Sequence, residues 1–172
     1  MSDPQGGRPN PGASTWLSAV ITFGAIIAVL AVLGRSASPV RRAALFATAA
    51  SLTWALMASF IKATPETLSQ FGLAGMLTHW PVYALAVSGV AGTVLQQAAL
   101  HVGPSSVSQP LIVVVDPLAS IVLSVWLFDE RFTHNPTKIA VAVVSFTVMV
   151  VAVTGLSRTA PADLDPSRPV RL

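Results

Sequence analysis

The chain has 172 residues, of which 53% are apolar and only 10% charged, with a mean hydropathy of +0.69. An ordinary soluble domain carries about 25% charged residues, so this composition excludes a water-soluble globular protein and a disordered chain, and the absence of Cys excludes a disulfide scaffold. The net charge of +3 comes from ten basic residues, eight of them Arg, that lie almost entirely outside the apolar runs and form no basic tract; they read as membrane-flanking anchors and not as a nucleic-acid surface.

Residues 1–14 are polar and rich in Gly and Pro, and are expected to be a disordered tail. Five apolar runs follow, at about 16–33, 43–61, 81–102, 107–128 and 139–156. Each approaches the ~20 residues that cross ~30 Å of hydrocarbon, and each is apolar on every face. Lipid accepts only helices or closed barrels, and barrel strands are short and alternating, so the runs are helices. The fold class expected is all-α, a polytopic bundle of about five transmembrane spans within 15–157, with a disordered tail at 158–172. The first run is too long for a signal-peptide core, although Ser36–Ala37–Ser38 resembles a cleavage site.

Between the second and third runs, residues 65–79 begin with Thr64 as a possible cap and Pro65 at the first helical position. Fifteen residues with two Gly are too few to span, so an interfacial or re-entrant segment is expected. With five spans, Arg35, Arg41, Arg42, Arg158, Arg168 and Arg171 share one side, and Arg8, Lys62, Arg131 and Lys138 the other. The six-to-four excess places the C-terminus in the cytoplasm and the N-terminus outside.

The second run carries Ala43, Ala47, Ser51, Ala55 and Ser59 at strict i+4 spacing, a stripe that lets another backbone approach closely; Leu52 and Leu56 matter less to packing if they face lipid. The third carries Ala84, Ser88 and Gly92 in one row, continued by Gln96. Trp16, Trp80, Tyr83 and Trp126 lie near span ends, as an aromatic belt requires; Trp54 is mid-span.

The fourth run holds the chemistry. Asp116 sits near its middle, where a carboxyl costs about 2.5–3.5 kcal/mol on insertion scales and must face protein or water. At 100° per residue, Gln109 lies about 20°, Ser120 about 40° and Ser124 about 80° from it, with Glu130 about 40° to the other side. Pro117 removes the N–H that would bond the Val113 carbonyl, and Pro110 breaks the helix near its start. Broken helices beside a carboxylate are how transporters build midplane sites. The competing reading is a structural carboxylic acid hydrogen-bonded to a neighbouring helix. Lys62 and Glu130 fall on one side of the membrane, where they either form an interfacial ion pair or snorkel separately to water. His79, His101 and His134 lack ligand spacing, and the chain holds no nucleophile–base pair, P-loop or zinc motif, so neither an enzyme nor a cofactor is expected.

Three features carry a resemblance: Lys62 ending the second run, the segment Leu95–Pro104 (LQQAALHVGP), and Ser108–Phe132 with Pro110, Asp116–Pro117 and Asp129–Glu130–Arg131. From Ala43 to Gly155 the chain resembles the second half of drug/metabolite transporter superfamily proteins of the EamA-like kind, closest to bacterial members similar to NIPA-type magnesium transporters. The resemblance implies a helical transporter of two inverted repeats in the bacterial inner membrane, and carries over onto Lys62, Gln96, Gln97, Pro110, Asp116, Pro117 and Glu130. Five spans are about half the family's full complement. The chain is therefore expected to act as a half-transporter, as a homodimer or with a partner half, for a small molecule or cation. The alternative is a non-transporting or truncated membrane protein acting as a structural or assembly subunit.

Overall fold

The computed structural model of the chain describes residues 11–103, 105–128 and 136–159. They form α1 (Ala13–Arg35), α2 (Pro39–Met76), α3 (Trp80–Val102), α4 (Ser105–Phe128) and α5 (Pro136–Thr159), with no strand among the described residues. Four stretches are long and apolar enough to cross a membrane: Ala13–Arg35, Pro39–Pro65, Trp80–Val102 and Ser106–Phe128; α5 contributes a shorter apolar stretch, Val144–Gly155. Val29, Val87, Val94, Val122 and Val148 are each more than half exposed on the outside of the bundle. Water would not tolerate that surface, and lipid would. The protein is a multi-pass helical membrane protein.

The hub is α2, which packs against α1, α3 and α4, whereas α3 and α4 touch each other little and α5 leans on α4. The reason is the stripe. Ala43, Ala47, Ser51 and Ala55 are fully buried and Ser59 nearly so, which lets three helices approach one. The hydroxyls along the packed stretch of α2 are closed off inside their own helix. Ser51 donates to the Ala47 carbonyl at 2.9 Å, Thr53 to Ala49 at 2.8 Å and Ser59 to Ala55 at 3.1 Å. None of these three hydroxyls is left to oppose the packing.

Glycines allow the tightest contacts. A Cβ on Gly103, past the end of α3, would stand 2.6 Å from the Ala43 Cβ and 2.8 Å from the Pro39 carbonyl oxygen. At the other corner of this end, Arg42 reaches back from α2 to finish α1. Its Nε donates to the Gly34 carbonyl at 3.0 Å and its Nη2 to the Arg35 carbonyl at 2.7 Å, satisfying acceptors that a helix C-terminus leaves open.

The opposite end is closed by aromatic rings. Trp16 of α1 stacks on Phe60 of α2 with centroids 5.3 Å apart, and meets Trp80 of α3 and Phe128 of α4 edge-on at 5.6 and 6.1 Å. The rings join all four helices, at separations where aromatic pairs attract.

Several expectations are corrected. Residues 65–76 are not a separate segment but continue α2, whose helical path breaks only at Gly72 (φ 68°, ψ −179°), a conformation open to glycine. Thr64 is not a cap; its hydroxyl donates to the Phe60 carbonyl at 2.8 Å, one turn back inside the helix. The part of α2 beyond Pro65, broken at Gly72, adds 11 residues, less than about 17 Å of continuous helix and too short to cross. Leu56 does not face lipid; it is 6% exposed within the core, and Leu52 packs against it in part. Trp16 is 4% exposed and belongs to the core, while Trp80, Tyr83 and Trp126 do stand exposed near their helix ends. Helix α1 already begins at Ala13, inside the stretch expected as a tail, and α5 runs to Thr159. Residues 1–10 and 160–172, which hold the rest of both expected tails, lie outside the described residues.

Candidate functional site

Because α3 and α4 each pack on α2 more than on each other, a gap remains between them. A cavity of about 190 Å³ occupies it, lined by Gln96 and Leu100 of α3 and by Gln109, Ile112 and Val113 of α4. Two of the expected polar residues, Gln96 and Gln109, thus meet at one cavity although they belong to different helices.

The row along α3 explains how Gln96 comes to face inward. Ser88 and Gly92 are buried against α2, and Trp54 of α2 lies over Gly92, whose Cβ would stand 3.2 Å from the indole. One turn further, the Trp54 Nε1 donates to the Gln96 Oε1 at 2.9 Å. An indole N–H only donates, so the atom it meets is the amide oxygen, and the Gln96 NH₂ is left to face elsewhere.

On α4, Gln109, Ile112 and Val113 bracket the direction of Asp116 within about 60°. Asp116 therefore continues the cavity-lining face one turn on. It is half-buried, and neighbouring Ala119 and Leu123 seal the helix against the core cluster. The buried Ser108 donates to the Ala99 carbonyl at 3.0 Å, which sets the register of α3 against α4. Across antiparallel helices Gln96 then faces residue 111, and Asp116 lies five residues, about 7.5 Å, beyond that level.

The side chains of Asp116, Ser120, Ser124 and Gln109 make no hydrogen bond among the described residues. This departs from α2 and α3, where hydroxyls such as Ser51 and Ser88 bond the preceding turn. Ser120 and Ser124 follow Asp116 along α4, half-buried and rotating away from its direction. Pro117 has no N–H to offer the carbonyl of Val113, a cavity-lining residue.

Other expected residues lie elsewhere. Gln97 is exposed and outside the cavity. Lys62 stands at the aromatic end, its Nζ 4.3 Å from the Phe128 ring centroid, a cation–π contact. It is level with the far end of α4, twelve residues or about 18 Å beyond Asp116. Glu130, its candidate ion-pair partner, lies outside the described residues, as do Asp129, Arg131 and His134. Among the described residues no cluster of three His, Asp or Glu could hold a metal ion. Sequence reasoning missed Trp54 as a site residue. Its signal was a large polar-tipped ring beside the small-residue stripe, where a lipid-facing or core apolar residue would be ordinary.

The comparisons with known proteins give little further constraint. No family model matches the chain, and no solved structure matches it. It is similar to an uncharacterized protein of Corynebacterium glutamicum, 22% identical over 159 residues that cover 92% of this chain and 55% of that protein. The chain therefore spans about half the length of the curated relative it matches.

Proposed function

We propose that the protein is a half-transporter of drug/metabolite transporter type, carrying a small molecule or cation along the α3–α4 gap in a bacterial inner membrane. The observation that supports this best is the juxtaposition of Gln96 and Gln109 at one cavity, with the carboxyl of Asp116 one turn beyond on the same face. A purely structural carboxyl at mid-membrane would be expected to bond a neighbouring helix, and Asp116 bonds none among the described residues. Pro117 adds an acceptor by leaving the Val113 carbonyl without its partner on the next turn.

The test is transport in proteoliposomes at several pH values, for wild type and Asp116→Asn at matched protein content, using magnesium and small organic amines as solutes. Asp116→Asn keeps the side-chain size and should insert and fold while losing transport or its pH dependence. Coincident transport curves for the two proteins would make Asp116 a structural carboxyl outside the path, and no transport by either protein would leave the structural-subunit reading in its place. A reporter fused after Leu172 should read cytoplasmic and one fused at Asp3 external. The same side at both ends would mean an even number of spans.

A further inference from the structure

Resting on that reading of the α3–α4 gap, we infer that the site selects a small organic ammonium carrying a hydrogen-bond acceptor, and rejects bare metal cations and simple amines. From the residue types alone, two amides, a carboxylate and a backbone carbonyl suit a metal ion as well as an amine. The structure separates these cases through Trp54. Its Nε1 takes the Gln96 oxygen at 2.9 Å. That bond turns the amide so that its two N–H groups, which have no partner among the described residues, are the groups left for the cavity that Gln96 lines. A metal ion approaching Gln96 therefore meets donors where it needs oxygen. A solute carbonyl or hydroxyl meets what it needs.

The opposite demand is set by Asp116, about 7.5 Å further along the same face, with the Val113 carbonyl between. A carboxylate and a freed carbonyl call for a cationic donor. Residue levels only about 7.5 Å apart along the helix axis call for a short solute, with its acceptor and its ammonium nitrogen a few bonds apart. The part of the path between Gln96 and Val113 is a cavity of about 190 Å³, only slightly larger than the ~150 Å³ cavity that holds benzene, so the portion of the solute it holds is small. Glycinamide has this form, with an ammonium and a carbonyl oxygen on adjacent carbons.

The experiment uses the full chain with ¹⁵N-labelled indoles in lipid nanodiscs, where four Trp give four indole N–H signals and Trp54→Phe identifies that of Trp54. Four probes are titrated: glycinamide, n-propylammonium, acetamide and Mg²⁺. Glycinamide is expected to move the Trp54 signal saturably, at concentrations at least tenfold below those needed for n-propylammonium or acetamide, with no saturable shift from Mg²⁺. Gln96→Glu retains an acceptor for Trp54 and removes the donors, so it should abolish the preference for glycinamide over n-propylammonium. Equal binding of glycinamide and n-propylammonium by the wild type, or a preference unchanged in Gln96→Glu, overturns this inference and leaves the transport path standing. Preferential binding of Mg²⁺ does the same and assigns the path to a cation. No saturable shift with any probe, together with no transport of them, overturns both readings.

Discussion

Helices α2 and α4 run side by side and are built from similar residues, yet they use their polar groups in opposite ways. On α2, Thr48, Ser51, Thr53 and Ser59 each donate to the carbonyl four residues back, which turns a hydroxyl into the equivalent of a small apolar side chain. Three other helices can then close on α2, and half of its spanning stretch is buried against 22% for α4. On α4, Gln109, Asp116, Ser120 and Ser124 hold their polar atoms away from the backbone and from other side chains among the described residues. A helix whose polarity is satisfied internally serves assembly. A helix whose polarity is left unsatisfied, in a medium without water, is costly to keep unless a solute or another protein surface meets it.

The comparison is most easily broken on α2. Ser51→Leu or Ala55→Leu puts a branched side chain where no space exists, and overpacking alone costs about 1–3 kcal/mol. With three helices displaced at once, the protein is expected to lose its monodisperse peak in detergent size exclusion. Leu56→Ala, within the core cluster, should lower thermal stability clearly more than Leu52→Ala at the cluster's margin. Equal effects of all four substitutions would remove the stripe as the packing surface.

Gly103→Ala is the next largest. The added methyl would meet the Pro39 carbonyl oxygen at 2.8 Å, a backbone atom that cannot swing aside. A loss of about 1–3 kcal/mol is expected from the overpacked contact, read as a lower midpoint of thermal unfolding in detergent. A midpoint equal to wild type would mean that the α2–α3 corner opens freely.

Trp54→Phe sharpens the boundary between the two roles. It deletes one interhelical hydrogen bond, worth about 0.6 kcal/mol on average and at most about 1.7 kcal/mol in membrane helices. Stability should therefore fall only slightly, while the discrimination between glycinamide and n-propylammonium, read as competing transport in proteoliposomes because the Trp54 signal is gone, should fall much more. A change confined to stability would make Trp54 a packing residue only.

The smallest effect expected is the most telling for α4. Ser120→Ala and Ser124→Ala remove hydroxyls that bond nothing in the described structure, so stability should stay within about 0.5 kcal/mol of wild type. A larger destabilisation in thermal unfolding would show that these hydroxyls hold a partner and would move α4 to the structural side of the comparison.

Composition and run length were enough to make this an all-helical membrane protein, because a bilayer permits few alternatives and demands about 20 apolar residues per span. The small-residue stripe on α2 was legible for a related reason, since close approach in lipid depends on side-chain size at i+4 spacing. Residue spacing also placed Gln109, Asp116, Ser120 and Ser124 along one side of α4. It did not reveal that α2 runs on through Pro65 to Gly72, because the Thr64–Pro65 pair reads equally as a helix start and as a back-bonded turn within one. Nor did it reveal which rings belong to the core. Trp16 and Trp80 look alike near span ends, and only the meeting of four helices buries one and leaves the other half-exposed. The same holds for the site. The convergence of Gln96 and Gln109 on one cavity, and the bond from Trp54 to the Gln96 oxygen forty-two residues away, are decided by how α3 and α4 seat separately on α2. A pattern along one helix specifies the direction of a side chain, and the partner it meets depends on the rotation and register of a different helix.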